Sequence, residues 1–320
     1  MSRQRVLVCG ATGFIGRNLV EALARRADLE VHALHFTRPA YEVAAVAWLH
    51  ADLRDPAAVT ALVKGFDVVI QAAATTSGAR DIVAAPYIHV TDNAVMNSLL
   101  LRACFDAKVK HFIFFSCSVM YQPREKPWRE EEWDAAREMH VNYFASGWTK
   151  LYIEKMCEFF SRQGVTKHTV IRHTNIFGPH DKFDLERSHM FGASVTKVMT
   201  SKNGKVTIWG SGEEARDLLY VDDLVRFVEL AMDRQRSPYE MLHASAGHAV
   251  PINNVVALIV RASGRDLRIE HDLEGPTIGT SFALDSRRAR QVLGWEPQVS
   301  FDDGVRRTVN WWRKAHGVTS

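Results

Sequence analysis

The sequence predicts an α/β protein: a doubly wound parallel sheet with a smaller C-terminal lobe. Three observations predict it. A short apolar run, Val6–Cys9, leads into a glycine-rich turn and an amphipathic stretch close to the N-terminus. Apolar runs of strand length then alternate with helical patterns as far as about Gly178, the pattern of parallel strands joined by right-handed crossovers. Beyond that point the rhythm changes to shorter mixed elements, loops and aromatic residues.

The first strand carries the chain into Gly10-Ala11-Thr12-Gly13-Phe14-Ile15-Gly16, with glycines spaced G-x-x-G-x-x-G. Gly10 suits the tight turn after the strand. Gly13 lets a pyrophosphate approach the backbone, and Gly16 lets the helix pack close to the sheet. Thr12, Phe14 and Ile15 complete the turn and open the helix, whose free N–H groups and dipole favour phosphate charge. The expected ligand is therefore a dinucleotide.

Further strands are expected at Glu30–Leu34, Val46–His50, Val68–Ala72, His111–Ser116, His168–Arg172 and Glu240–Ala244. Helices fit Phe14–Arg26, Pro56–Val63, Asp92–Ala107 and Gly147–Arg162. In the second half, Gly192–Thr200 reads as a helix, Lys205–Trp209 as a strand and Gly210–Gly212 as a turn. Asp222 and Asp223 read as the cap of a helix over Leu224–Met232. Ile252–Ala262, Ser286–Leu293 and Gly304–Arg313 read as the remaining helices. The expected division is interleaved: residues 1–177 plus about 220–247 for the dinucleotide domain, and about 178–219 plus 248–320 for the substrate lobe.

The totals narrow the class. At 320 residues the chain can bury a large core. Its 47% hydrophobic and 24% charged content is that of a soluble globular protein. A net charge of +3 gives no reason to expect nucleic acid. Four widely spaced cysteines, Cys9, Cys104, Cys117 and Cys157, suit a reducing cytoplasm. No signal-type apolar region or run of membrane-spanning length is read, so no membrane partner is expected.

The end of the second strand selects between nicotinamide dinucleotides. Its segment, His35-Phe36-Thr37-Arg38, carries no carboxylate for a ribose 2′-hydroxyl. Thr37 and Arg38 could instead meet a 2′-phosphate, which favours NADP while leaving NAD possible. Asp52, followed by Leu53, could contact the adenine edge or cap a turn.

The chain resembles the extended short-chain dehydrogenase/reductases from end to end. Within them it resembles the GDP-L-fucose synthase branch of epimerase-reductases acting on GDP-4-keto-6-deoxy sugars. The resemblance rests on Gly10–Gly16, Ala72-Ala73-Ala74, Asn93, Ser116–Tyr121 and Lys150. It rests most on His173-Thr174-Asn175-Ile176-Phe177-Gly178-Pro179-His180-Asp181, on Ile208-Trp209-Gly210-Ser211-Gly212-Glu213-Glu214-Ala215-Arg216, and on Tyr220-Val221-Asp222-Asp223. It implies a Rossmann sheet and a homodimer in nucleotide-sugar and polysaccharide metabolism. It also implies a nucleotide sugar held by Asn175, His189, Lys197, Trp209 and Arg216.

The same resemblance implies a Ser/Thr, Tyr and Lys catalytic set, the last two spaced Tyr-x-x-x-Lys. Lys150 fits the lysine, but Ser146 stands where the tyrosine belongs. A serine hydroxyl is a far weaker acid and has a shorter reach. Tyr143, seven residues before Lys150, shares its face only if the helix already runs there. The family's Ser/Thr falls on Cys117, flanked by Ser116 and Ser118. The epimerisation pair falls on His189 and on either Val119 or Cys117, depending on whether Tyr121 or Ser116-Cys117 anchors the match. A thiol beside Lys150 is expected to have a depressed pKa. No metal-ligand spacing and no nucleophile elbow is read. The reading is an NADP-dependent epimerase and/or reductase. The alternatives are a non-reducing epimerase that keeps its dinucleotide and a dinucleotide-binding sensor or scaffold without turnover.

Overall fold

The computed structural model describes residues 3–75, 86–185, 188–275, 277, 279 and 281–318. Among them, seven strands form one sheet: β1 (Gln4–Cys9), β2 (Leu29–His35), β3 (Val46–His50), β4 (Val68–Gln71), β5 (His111–Phe115), β6 (Lys167–His173) and β10 (Tyr239–Ala244). Their order is β3-β2-β1-β4-β5-β6-β10, and every pairing is parallel. Seven of the eight strands expected from the sequence belong to this sheet, the late Glu240–Ala244 segment as its edge.

Alternation along the strands builds two cores. Val6 and Val8 of β1, Val68 and Ile70 of β4, and Ile113 and Phe115 of β5 face one side. There they meet α1 (Phe14–Leu23), α6 (Val221–Arg234) and α8 (Arg287–Leu293) through Leu19, Phe227, Val228 and Leu293. Leu7 and Cys9, Val69, and Phe112 and Phe114 face the other side. They meet α2 (Pro56–Leu62), α3 (Pro86–Asp106) and α4 (Phe144–Ser161) through Val59, Leu100, Cys104 and Ile153. Each fully buried apolar side chain of this kind contributes roughly 1.5–3 kcal/mol. Both faces are apolar because both are covered by crossover helices.

The second half adds α5 (Met190–Thr200), α7 (Ile252–Ser263) and α9 (Phe301–Ala315) to five short strands. β7 (Asn175–Phe177), β9 (Ala215–Tyr220) and β11 (Ala249–Pro251) make one small sheet, and β8 (Lys205–Trp209) with β12 (Arg268–Asp272) another. Their core is Phe177, Phe191, Val195, Leu218, Val256 and Val309. Of these strands, the sequence pattern announces β8 alone. Asp222 and Asp223 do not cap α6, contrary to expectation. The helix begins at Val221 with Tyr220 as its cap, so both acids lie in the first turn. Asp223 is buried and accepts the N–H groups of Gln298 and Val299, which ties α6 to the chain before α9.

Candidate active site

The glycine turn sits at the C-terminal end of β1, and each glycine answers a different steric demand. Gly10 has φ +72°, and a Cβ there would stand 2.6 Å from the Ala73 backbone. It therefore serves both the turn and the close approach of the loop after β4. A Cβ on Gly16 would meet the Gly10 carbonyl oxygen at 2.2 Å, so the tight packing is of α1 on the turn itself. Gly13 is different. A Cβ there would touch only the Gly10 oxygen, at 3.2 Å. Gly13 is the cap residue of α1, no side chain caps that helix, and no acid occupies its first turn. Its leading N–H groups are thus open to an anion beside Thr12, Phe14 and Ile15.

The facing loop, Ala72-Ala73-Ala74, is held from below. Gln71 accepts the Ala73 N–H at 3.2 Å and donates to Asn97. Asn93 accepts the Thr75 N–H at 3.1 Å and donates to the Thr75 carbonyl at 3.0 Å. Asn93 is a buttress for this loop. At the far end of the groove, Asp52 accepts the Arg54 N–H and pairs with the Arg54 guanidinium at 2.9 Å, while Arg54 also reaches Asp92 at 3.1 Å. Leu53 is buried. Thr37 and Arg38 are exposed, and the Arg38 guanidinium makes no ion pair among the described residues. These features fit a dinucleotide laid across the strand ends with its phosphates on α1.

The second half of the site lies at the ends of β5 and β6, on the same edge of the sheet. Lys150, on α4, donates to the Phe115 carbonyl at 2.7 Å and lies 4.7 Å from the Phe114 ring centre. Burial pulls its ammonium below the ordinary lysine value, while the neighbouring Cys117 pulls the other way. The Cys117 thiol is raised, not depressed as the sequence suggests. Burial outweighs the nearby Lys150 charge and a hydrogen bond from the Val119 backbone. His173, at the end of β6, is brought down to about 4 by burial and feels the charges of both Lys150 and His189. His189 is the cap residue of α5, and its imidazole is also lowered, by desolvation and then by Lys182.

Ser118, Tyr143, Asn175, Arg216 and Asp217 line one cleft beside these groups. Asn175 donates to the Asp217 carbonyl at 3.3 Å. Arg216 pairs with Glu214 at 3.0 Å. Lys197 and Trp209 meet each other away from that cleft, with the ammonium 4.8 Å from the indole centre and donating to the Thr207 carbonyl at 3.0 Å. Trp209 is 49% exposed. Ser146 spends its hydroxyl on the Tyr143 carbonyl at 3.3 Å. The helix starts at Phe144, so Tyr143 ends a short 3₁₀ turn, Val141–Tyr143, just ahead of it.

Two supports of the cleft are absent from the motif reading. Asp217 is buried and gathers Thr174, Ser245, Ala246 and Leu284 at 2.6–3.3 Å. Behind the cleft, Arg172 is forked onto Glu154, with Nη2 to Oε2 at 2.6 Å, and donates to the Tyr121 hydroxyl at 2.7 Å. His243 meets that same hydroxyl at 2.7 Å. Their partners lie 18 to 122 residues apart in sequence, so spacing carries no trace of them.

Residues 6–243 match the family model described as the NAD dependent epimerase/dehydratase family. The chain belongs to that family. A GDP-L-fucose synthase of Azorhizobium caulinodans is 25% identical over 316 residues, covering 97% of this chain and 96% of its own. A dTDP-4-dehydro-6-deoxy-D-allose reductase of a Streptomyces species is 29% identical over 318 residues, covering 96% of each chain. Among solved structures, MoeE5 in complex with UDP-glucuronic acid and NAD superposes with a TM-score of 0.83 at 25% identity, covering 97% of this chain and 99% of that one. Relatives of this family thus include epimerases, reductases and dehydratases of sugars carried on different nucleotides. Among the described residues no group of three or more His, Cys, Asp and Glu is placed to hold a metal ion, and no helix is long and apolar enough to cross a membrane.

Proposed function

We propose that this chain is an NADP-dependent epimerase and/or reductase of a 4-keto nucleotide sugar, with GDP as the carrier. One observation carries the reading. Ser118, Asn175 and Arg216 line a single cleft beside Cys117 and Lys150, on the same sheet edge as the open turn at Gly13. The bound nicotinamide supplies hydride to the sugar carbonyl. Lys150 positions the cofactor ribose with the ammonium protons left after its bond to Phe115. Arg38, exposed and without an ion pair among the described residues, takes the 2′-phosphate, whereas Arg54 is already committed to Asp52 and Asp92.

The substrate diphosphate draws Arg216 away from Glu214, and the base packs near Trp209 and Lys197. A raised thiol holds its proton and a lowered imidazole stays neutral at neutral pH. Cys117 is thus suited to give a proton, and His189 to take one, at a carbon next to the keto group. Ser118 borders the carbonyl, and Ser146 has no part in the chemistry. Phe144, Trp148 and Tyr152, exposed at helical spacing on α4, form the surface for the homodimer contact. Four unpaired cysteines suit the reducing cytoplasm.

The test offers NADPH or NADH with GDP-, dTDP- and UDP-linked 4-keto-6-deoxy sugars in heavy water. The expected result is preferential oxidation of NADPH with the GDP sugar. Deuterium should enter next to the carbonyl and be lost in Cys117→Ala and His189→Ala. Neither cofactor oxidation nor deuterium uptake with any of the sugars would refute the reading.

A further inference from the structure

We propose that the Tyr143 phenol donates the proton to the sugar's C4 oxygen, in place of the tyrosine that Ser146 replaces. This assignment rests on the reductase reading above. Two phenols line the cleft, Tyr121 and Tyr143. The Tyr121 hydroxyl is engaged from two sides, by Arg172 and His243, and the residue is 4% exposed. The Tyr143 hydroxyl has no hydrogen bond among the described residues and is half-buried in the cleft wall beside Ser118 and Asn175.

The local chain geometry supports the exchange. Ser146 donates to the Tyr143 carbonyl, which fixes the residue that must point its ring into the cleft. Moving the phenol from the family position to 143 shifts its backbone origin by roughly 4.5 Å along the helix direction, at 1.5 Å per residue. A tyrosine side chain has the reach to cover that, and a serine does not.

The electrostatics then set which way the proton runs. Burial opposes the phenolate, and the charges acting on Tyr143 are those of Arg216, Cys117 and Glu214. The Lys150 charge acts on Cys117 instead. Tyr143 therefore waits as a neutral acid. As hydride from the reduced nicotinamide adds to C4, the C=O π bond breaks, the oxygen takes the phenol proton, and water reprotonates the phenolate. The reverse reaction needs the phenolate first, so alcohol oxidation at this site rises with pH across the neutral range while carbonyl reduction stays level.

The experiment compares the full-length parent, Tyr143→Phe and a protein carrying fluorotyrosine at position 143. NADPH oxidation with the 4-keto sugar should fall a hundred- to ten-thousand-fold in Tyr143→Phe. KM, NADPH affinity and deuterium uptake next to the carbonyl should hold. Fluorotyrosine should move the alkaline limb of the reduction profile to lower pH, and its fluorine resonance should shift when the nucleotide sugar is added. A Tyr143→Phe rate equal to the parent's, or an unmoved alkaline limb, overturns the assignment while leaving the reductase reading intact. A parent that never oxidises NADPH with a 4-keto sugar overturns both.

Discussion

The ion pair behind the cleft offers the most demanding test of how the site is held. Glu154 is 4% exposed and Arg172 is 3% exposed. Arg172 makes three contacts with that carboxylate, at 3.0, 3.2 and 2.6 Å, and Ser116 donates to it as well. Glu154→Gln keeps the shape and removes the charge. The guanidinium then keeps the amide oxygen and the Tyr121 hydroxyl as acceptors but sits in a dry site without its counter-charge. Leaving a buried charge without its partner costs about 3–5 kcal/mol. Unfolding entropy of roughly 2.1 cal/mol/K per residue gives about 0.67 kcal/mol/K over 320 residues, so Tm should fall by about 4–7 °C. Thermal and urea unfolding followed by circular dichroism would measure it. The double replacement Glu154→Leu with Arg172→Met removes both charges and should recover most of the loss. A Glu154→Gln change under about 1 kcal/mol, or a double variant as unstable as the single one, would show that the pair is not the buried, mutually dependent unit described.

Three further outcomes are expected. Arg216→Ala should weaken nucleotide-sugar binding roughly ten- to a hundred-fold, for a lost charged hydrogen bond of about 1.5–3 kcal/mol. Glu214→Ala should tighten binding by removing the competitor for Arg216, and unchanged calorimetric affinity in Arg216→Ala would take Arg216 out of the site. Asp181 is carried by burial from 3.8 to about 7. Between those values the unfolded chain releases a proton that the folded chain keeps, so stability falls as pH rises, by up to about 4 kcal/mol above pH 7. Asp181→Asn should therefore be more stable than the parent at pH 8, with the difference closing towards pH 4. Equal stability at pH 8 would contradict the buried, ionised carboxyl.

The large sheet was legible because its central strands are short continuous buried runs with both faces covered, as in Val68–Gln71 and His111–Phe115. Apart from β8, the small strands were not. β7 is three residues long, and β12, Arg-Ile-Glu-His-Asp, is mostly exposed and has no run of buried positions to mark it. Helix starts were late for a related reason. α4 begins at Phe144 and α3 at Pro86, ahead of the residues whose apolar spacing announces them. That difference of three residues at α4 decides where Tyr143 stands.

In the site, the glycine turn could be read because its demands are local: a positive φ at Gly10 and a backbone contact at Gly16 leave their mark at a single position each. Protonation states could not. The expected depression of the Cys117 thiol followed from one neighbour, Lys150, and the lysine does pull in that direction. What reverses it is desolvation, which depends on everything packed around the sulfur and on no residue in particular. Loss of water likewise lowers Lys150, His173 and His189 and raises Tyr143. Sequence names the charged partners, but only the packed structure says how much water is left between them. In this cleft that second quantity gives the signs: a proton-bearing thiol and phenol beside a neutral imidazole.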